Sequence, residues 1–281
     1  MKPLVSVVIA TKNEEKNIGR CLKSLNEQSY KNLELIVVDN NSDDDTVRTA
    51  KKFTSKVFSL PKNKNFKNFR GAQVNFGVKK STGSIIFFPD ADMSFEKDLI
   101  REAVVKLSKF DALFVPEVVI GKGFFGKVRN FERSFYNATC VDGVRFVRKF
   151  SFDKVGGFDV KNIVFGPDDW DLTKSFKKTC FKIGITKKSL FHHEAQLSLK
   201  TYFDKKKNYA GTFDGYIDKW GVNDIDIKKQ FSPFYRLFGV FTENGKWINL
   251  LKKPHLVVGM YYLRLKVGFN YLLNKNLRRK D

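Results

Sequence analysis

The sequence contains little cysteine and no long apolar run. Its three cysteines among 281 residues form no C-x-x-C pair, which excludes a disulfide scaffold and a zinc ribbon and is typical of a reducing compartment. No uncharged apolar stretch reaches the roughly 20 residues that a membrane-spanning helix requires. A strand pattern already begins at Leu4, which leaves no room for a secretory signal. We therefore expect a cytoplasmic protein, either free or attached to the inner face of the cell membrane.

The familiar phosphate-binding and nucleophile loops are missing as well. The first strand pattern leads into Thr11-Lys12-Asn13-Glu14 and not into G-x-G-x-x-G. Neither the Walker sequence G-x-x-x-x-G-K-[ST] nor the G-x-S-x-G elbow occurs. If the protein binds phosphate groups, another feature must therefore neutralise their charge.

Positive charge is the most prominent feature that the sequence does contain. The chain has 52 Lys and Arg against 30 Asp and Glu, a formal net charge of +22. Such a charge attracts nucleic acid, anionic lipid or diphosphate-bearing substrates. It is also the charge of an ordinary lysine-rich surface, so charge alone names no partner. The 42% hydrophobic content, with 29 Phe, supplies a core and argues against global disorder.

Strand and helix patterns alternate through the first ninety residues. Predicted strands cover residues 4–10, 33–38, 57–60 and 84–88, and predicted helices include 15–28 and 70–80. The first strand is a continuous β-branched run, which is typical of a strand buried on both faces. This alternation predicts a Rossmann-like α/β fold with a mostly parallel sheet flanked by helices. Ligands bind at the carboxyl edge of such sheets, where Asp39 and Asp90 are expected.

The pattern changes after Ser94. We predict a helix over residues 95–107 with Ser94 as its N-cap, followed by a strand over residues 112–120. A further helix is expected to open at Pro167-Asp168-Asp169, and a strand near residues 188–191. From about residue 198 onward the sequence is mainly helical in pattern and dense in lysine and aromatic residues.

The triplet Asp90-Ala91-Asp92 directly follows the fourth predicted strand. Two carboxylates around a small residue can share a hard divalent cation, because Mg²⁺ and Mn²⁺ prefer oxygen ligands and are often bound through substrate phosphates. An isolated D-x-D is more often a polar turn. The triplet lies at a strand end, in a sheet without a phosphate loop. This position favours a metal site, in which the cation would bind phosphate groups in place of that loop.

Three segments in this order resemble the family 2 glycosyltransferases. They are S-V-V-I-A-T-K-N-E at 6–14, L-I-V-V-D-N-N-S at 35–42 and F-P-D-A-D at 88–92. R-G-A at 70–72 resembles the segment that precedes the family's D-x-D. V-G-G-F-D at 155–159 and G-P-D-D-W-D-L at 166–172 resemble its acceptor region. The resemblance covers roughly residues 4–200 and is specific as a set.

The resemblance implies a GT-A fold and an inverting, metal-dependent sugar transfer from a nucleotide-sugar. The acceptor would be a glycan or a polyprenyl-linked hydroxyl compound, and the metal Mg²⁺ or Mn²⁺. It divides the chain into a donor-binding half (1–95), an acceptor-binding half (96–225) and a basic amphipathic helical region (226–281). The residues implied on the donor side are Thr11, Asn13, Glu14 and Asp39 in the nucleotide pocket, Arg70 in the segment before D-x-D, Asp90 on the ribose and Asp92 on the metal.

On the acceptor side, the resemblance implies that Asp169 is the general base, with Asp168 and Trp170 beside it. The family usually has Glu-Asp where this chain has Asp168-Asp169, which leaves the contact of the shorter Asp168 open. Acidic residues in a first helical turn are also favoured by the helix dipole. Of His192-His193-Glu194, we expect His193 to complete the metal shell or to contact the diphosphate; an exposed polar turn is the alternative.

The C-terminal stretch 246–281 has nine Lys and Arg against one acidic residue. Charged residues interrupt its apolar content, so a spanning helix is not expected. We predict a basic amphipathic helix that lies at the surface of an anionic membrane. An ordinary helix docked on the protein is the alternative.

Three other functions compete with sugar transfer. A nucleic-acid-binding protein would use Arg129, Arg133 and Lys205 to Lys207 with nearby aromatics. Carboxylates at the strand ends would repel its phosphates, so we expect no nucleic-acid partner. A sugar nucleotidyltransferase would need a glycine-rich loop after the first strand, and residues 11–18 contain no glycine. An inactive relative is disfavoured because the acidic residues are retained.

Overall fold

The computed structural model describes residues 2–62, 65–194, 198–209 and 211–278. Its strands are β1 (Val5–Thr11), β2 (Leu33–Asp39), β3 (Val57–Ser59), β4 (Ile85–Phe87), β5 (Met93–Phe95), β6 (Ala112–Phe114), β7 (Glu117–Ile120), β8 (Val144–Arg148), β9 (Ile183–Ile185) and β10 (Leu190–His193). Seven of these strands form one sheet in the order β3-β2-β1-β4-β8-β6-β9, and β5, β10 and β7 form a second, smaller sheet.

The large sheet is mostly parallel, as the sequence predicted. Strands β3, β2, β1 and β4 pair in parallel, and so do β6 and β9. Strand β8 lies antiparallel between β4 and β6. In the small sheet, β10 pairs in parallel with β7 and antiparallel with β5. The small sheet thus joins the segment just after Asp92 to the two histidines of β10.

Helices cover both faces of the large sheet, which confirms the predicted fold class. They are α1 (Ile18–Asn26), α2 (Thr46–Ala50), α3 (Phe69–Lys80), α4 (Leu99–Lys106), α5 (Gly123–Ser134), α6 (Lys149–Lys154), α7 (Asp168–Lys178), α8 (Leu199–Tyr209), α9 (Asp214–Trp220), α10 (Ile225–Phe231), α11 (Val240–Thr242), α12 (Ile248–Lys252) and α13 (Pro254–Arg278). A π-helical turn (Tyr235–Gly239) precedes α11, and a 3₁₀ turn (Glu243–Gly245) follows it.

The centre of the large sheet is apolar on both faces, so β1 could be predicted from its composition alone. Val5, Val7 and Ile9 face one core cluster, which α1 closes, and Val8 faces the other. Helix α3 can lie close to β1 because Gly77 has no side chain: a Cβ there would come within 2.3 Å of Val8 Cγ1. This close approach brings the start of α3 to the carboxyl edge of the sheet.

Two predicted elements were wrong. The helix expected over residues 95–107 begins only at Leu99, and Ser94 is not its N-cap but lies in β5. Pairing of β5 with β10 overrides the local capping signal. The strand expected over residues 112–120 is two strands in different sheets, because the chain leaves the large sheet at Val115 and Pro116 and joins the small one at Glu117.

The C-terminal region is helical, as predicted, and one side of it docks on the protein. Leu256, Met260 and Leu263 of α13 are buried in a core cluster with residues of α5 and α8. None of the helices in the described part of the chain combines the length and the apolar composition that a bilayer crossing requires. The last residues of the predicted basic region, 279–281, lie outside the described residues.

Candidate active site

Strand register brings the predicted donor residues to one edge of the sheet. Thr11 at the end of β1 lies opposite Asp39 at the end of β2, and Ala10 bridges to Asp90 beyond β4. Thr11 Oγ1 donates to Asp39 Oδ1 at 3.1 Å. Three segments that are distant in sequence therefore end side by side, as parallel strands require.

Asp39 and Asn13 shape the loops of this edge. Asp39 is buried, and its Oδ2 accepts a hydrogen bond from the Ser42 amide at 2.8 Å. Asn13 adopts a positive φ of 55°, a conformation that asparagine tolerates better than most residues. Its backbone amide donates to Ser42 Oγ at 2.8 Å and its Oδ1 accepts from the Asp43 amide at 2.9 Å. Both side chains thus hold the loops after β1 and β2 together.

Glu14 lies close enough to the acidic triplet to feel its charge. Burial raises the pKa of Glu14, and the negative charges of Asp92 and Asp90 raise it further, against a hydrogen bond from Asn17. Carboxylates that raise the pKa of a neighbouring acid create negative potential at that acid.

Arg70 links the donor side to the acceptor side. Its Nε donates to Asp90 Oδ1 at 2.8 Å, and its Nη1 lies 3.1 Å from Asp168 Oδ2 and 3.0 Å from Asp169 Oδ1. Asn68 caps α3 by accepting from the Gly71 amide, and it also donates to Asp168 Oδ2 at 3.2 Å. The start of α3 therefore fixes the carboxylates of two distant motifs around one guanidinium.

Arg145, which sequence reasoning missed, is the second cation of this network. It projects from β8, with Nη1 at 3.2 Å from Asp90 Oδ2 and Nη2 at 3.5 Å from Asp169 Oδ2. Burial alone would raise the pKa of Asp90, but Arg70 and Arg145 outweigh it and hold that pKa below its ordinary value. Asp90 is therefore an anion already held by two guanidinium groups.

The acidic pair lies in the first turn of α7, as predicted. Asp168 is buried, and burial followed by the charge of Asp169 raises the pKa of Asp168. Asp169 lies directly above Gly143, where a Cβ would come within 2.6 Å of Asp169 Cβ. Trp170, next in the chain, stacks on Phe213 with ring centroids 5.8 Å apart. Asp169 is the more accessible of the two carboxylates, with 22% of its side chain exposed against 4% for Asp168.

The carboxylate of Asp92 contacts the ring of His192 and not the ring of His193. His192 Nε2 lies 3.0 Å from Asp92 Oδ2, and its Nδ1 lies 2.9 Å from Glu117 Oε1. Burial would lower the pKa of His192, but Glu117 and Asp92 raise it well above its ordinary value. Arg133 in turn binds Glu117 at 3.2 Å, so the histidine is part of a buried ion-pair chain.

His193 lies beside this arrangement. Its Nε2 is 2.8 Å from Ser94 Oγ, and its backbone amide donates to Asp92 O at 3.0 Å. Burial lowers the pKa of His193. The metal-binding role of this ring stays a prediction, and its Nε2 already contacts Ser94.

The donor set for a cation is small. Asp92 Oδ1 is buried and has no hydrogen-bond partner among the described residues, so one carboxylate oxygen is free to bind a cation. The described chain contains no cluster of three or more His, Cys, Asp and Glu residues arranged to hold a metal. The residues therefore fit a cation that takes most of its ligands from a phosphate-bearing substrate and water, a mode that Mg²⁺ commonly adopts.

The residues missed by sequence reasoning are Arg145, His192 and Glu117. Arginine inside the short buried strand V-R-F-V-R, and an acid that opens a strand after Pro116, were available signals, since buried charges in strands need partners. Nothing in the sequence distinguished His192 from His193. Alternation along β10 sets that difference, and it depends on the register with β5 and β7.

The sequence of the chain is similar to those of known proteins. The model for the family described as "Glycosyl transferase family 2" matches residues 6–159, more than half of the chain. A 4,4'-diaponeurosporenoate glycosyltransferase from Staphylococcus haemolyticus is 32% identical over 36% of this chain and 28% of its own length. A beta-monoglucosyldiacylglycerol synthase from Synechocystis is 26% identical over 78% of this chain and 50% of its own. The chain thus spans half or less of both relatives.

A solved structure shares the fold. The mannosyltransferase PcManGT from Pyrobaculum calidifontis, in complex with GDP-Man and Mn²⁺, has a TM-score of 0.63 and 18% identity, and the match covers 98% of this chain and 88% of that one. At this identity the likeness shows the fold alone.

Proposed function

The chain belongs to glycosyl transferase family 2, and from this premise we propose that it is an inverting enzyme that moves a sugar from a nucleotide-sugar to an acceptor hydroxyl. The observation that carries the proposal is the Arg70 network. It joins Asp90, predicted for the donor, to Asp169, predicted as the base, although the two lie far apart in sequence. The donor sugar and the acceptor hydroxyl would therefore lie next to each other, on either side of Arg70.

The proposed reaction is a single displacement. Asp169 accepts the proton of the acceptor hydroxyl while that oxygen forms its bond to the anomeric carbon. The bond from that carbon to the nucleoside diphosphate breaks on the opposite face, and the configuration inverts. Arg70 and Arg145 hold Asp169 in place, and the buried Arg70 Nη2, which has no hydrogen-bond partner among the described residues, is available to a donor oxygen.

We propose that Asp92 binds Mg²⁺ or Mn²⁺ together with the donor diphosphate. When bound, the cation stabilises the negative charge of the departing diphosphate. Support comes from the free Asp92 Oδ1 and from the Mn²⁺ of the mannosyltransferase with the same fold. Thr11, Asn13, Glu14 and Asp39 stay proposed as the nucleotide pocket, and His193 as a further metal ligand.

The acceptor is proposed to be a glycan or a polyprenyl-linked compound. Asp168 and Trp170 would lie on its side of the site, in the half of the domain that spans residues 96–225. The name of one relative, beta-monoglucosyldiacylglycerol synthase, describes a diacylglycerol lipid product, which is consistent with an acceptor in a membrane. We therefore propose that the protein works in the cytoplasm at the inner face of the membrane, in contact with anionic lipid through residues 226–281.

The test uses the purified chain with Mn²⁺ and a panel of UDP-, GDP- and dTDP-sugars. One donor should release its nucleoside diphosphate, and EDTA should stop the release. Asp92→Ala should abolish both donor binding and turnover. Asp98→Ala is the matched control, because Asp98 is a half-exposed carboxylate that pairs with Ser29 away from the cleft. Turnover that persists in EDTA would overturn the role of the metal, and failure to bind any nucleotide-sugar would overturn the function.

A further inference from the structure

Helix α13 has two apolar sides, of which the protein covers only one. The covered side contains Leu256, Met260 and Leu263, which pack in the core cluster against Val128 and Phe131 of α5. These positions are three and four residues apart, the spacing of one helix face. This side explains why α13 is held on the protein, and no membrane is needed for it.

The opposite side of α13 is also apolar and is exposed. Val258, Tyr262, Leu265 and Phe269 have exposed fractions of 73%, 54%, 58% and 61%. At 3.6 residues per turn, this second row lies about half a turn from the buried row. An exposed row of four large apolar side chains on one helix is more than scattered surface residues, and such a surface marks an interaction site.

Aromatic residues from other elements widen this row on both sides. The ring centroid of Phe238 lies 6.2 Å from that of Tyr261, and the ring centroid of Phe234 lies 5.7 Å from that of Phe238. On the other side Phe124 lies 6.5 Å from His255. Phe124, Phe234 and Phe238 are all exposed. We call the exposed row of α13 with these three phenylalanines the outer apolar surface.

Every charged residue from Lys246 to Lys280 in the sequence is basic. No Asp or Glu occurs between Glu243 and Asp281. Lys252, Lys253 and Lys266 are exposed at this end of the molecule. A second copy of the chain on this surface would bring like charges together, whereas an anionic bilayer offers both an apolar layer and opposite charge.

We propose that the outer apolar surface docks on an anionic lipid bilayer without spanning it. One side of α13 then packs on the protein, and the opposite side contacts lipid. Exposed aromatic side chains suit the boundary between head groups and acyl chains.

This docking also relates the membrane to the proposed acceptor side, a link that rests on the proposed function. Helix α8 packs on α13 through Tyr202 and Phe203. Other residues of α8, including Lys205 and Tyr209, line an open cavity of about 550 Å³ together with Phe165. Phe165 lies three residues before Asp168, in the loop that leads into α7. Helix α8 therefore connects the docked helix α13 to a cavity close to the proposed base, where a lipid-linked acceptor would bind.

The experiment measures binding of the full chain to vesicles without any substrate. Vesicles of phosphatidylcholine with one third phosphatidylglycerol are compared with pure phosphatidylcholine, by co-sedimentation at low and high salt. We expect at least about tenfold tighter binding to the anionic vesicles, lost in high salt. Val258→Glu should weaken binding about tenfold or more. Val105→Glu is the matched control, since Val105 is a similarly exposed valine (67%) on α4, outside this surface.

Three results would overturn the proposal. One is equal binding of the two valine variants, measured on proteins whose melting temperatures match the wild type. Another is a chain that does not bind vesicles but forms a dimer in solution, with the dimer dissociated by Val258→Glu. This result would make the surface an interface between copies. The third is binding of duplex DNA through the same residues with no vesicle binding. Vesicle binding is measured without a donor. If the chain binds vesicles but transfers no sugar in the separate donor assay, the proposed sugar transfer is refuted and the docking proposal stands.

Discussion

Replacing Asp169 by Asn removes the proposed base and leaves its surroundings nearly intact. Asparagine has the same shape, so the close packing on Gly143 is retained. Arg70 keeps its contacts with Asp90 and Asp168, and Arg145 keeps its contact with Asp90. Neither guanidinium is left as an unpaired buried charge, which is the situation that costs several kcal/mol.

The expected effect is therefore on catalysis and not on folding. A positioned general base contributes about 10²–10⁴-fold to rate, which corresponds to about 3–5 kcal/mol of activation free energy. The free energy of unfolding should change by about 1 kcal/mol or less, the scale of one ion pair in a network that keeps its other members. Donor affinity should stay within about threefold, because Asp92 and Asp90 are untouched.

The assay combines single-turnover transfer with calorimetric donor binding in Mn²⁺. Asp171→Asn serves as the control on the same helix, since Asp171 binds Lys219 and Trp220 and not the site. The control should lose stability and keep its rate per folded molecule. Full activity of Asp169→Asn would refute the assignment of the base. Loss of donor binding by this variant would show that Asp169 acts on the donor.

Three further changes test other parts of the site and fold. His192→Gln should raise the Mn²⁺ concentration needed for half-maximal activity about tenfold, and His193→Gln should raise it less. The reason is that only the ring of His192 contacts the carboxylate of Asp92. The reverse order would favour His193 as the metal ligand. Gly143→Ala should lower kcat about tenfold or more, since the added Cβ displaces Asp169, and an unchanged kcat would contradict this close packing. Burial would raise the pKa of Glu34, but hydrogen bonds from Lys56, Ser6 and two backbone amides lower it to about 2. The ionised Glu34 therefore stabilises the fold above about pH 4.5, and this stabilisation is lost as pH falls toward 2. After discount for the half-exposed lysine this amounts to about 1–2 kcal/mol, and urea unfolding at pH 6 and pH 3 should show that Glu34→Gln removes that part of the pH dependence.

Features that depend on local pattern could be predicted from the sequence. The β-branched run of β1 and the strand that ends at Asp39 are continuous apolar segments, and parallel pairing then dictates that Asp39 and Asp90 share an edge. The start of α7 follows from its acidic first turn. For the same reason the family could be inferred from motifs in order.

Features that depend on long-range pairing could not be predicted. Ser94 carries a plausible capping signal, yet pairing with β10 draws it into a strand. The contact between Arg145 and Asp169 depends on where β8 inserts in the sheet, and the choice of His192 over His193 depends on register. A shift of one residue along β10 would exchange the two rings, and no local property of the sequence determines that shift.

The position of β8 in the sheet has a consequence for synthesis of the chain. Strands β3, β2, β1 and β4 all come from the first ninety residues, and β4 then has one open edge until β8 pairs with it. In the finished protein Phe87 of β4 stacks on Phe146 of β8 at 4.0 Å. A product that ends near residue 95 would expose this apolar edge, and an unpaired hydrophobic edge invites association with other chains. Strand β8 can cover this edge of β4 only after residue 148 has been synthesised.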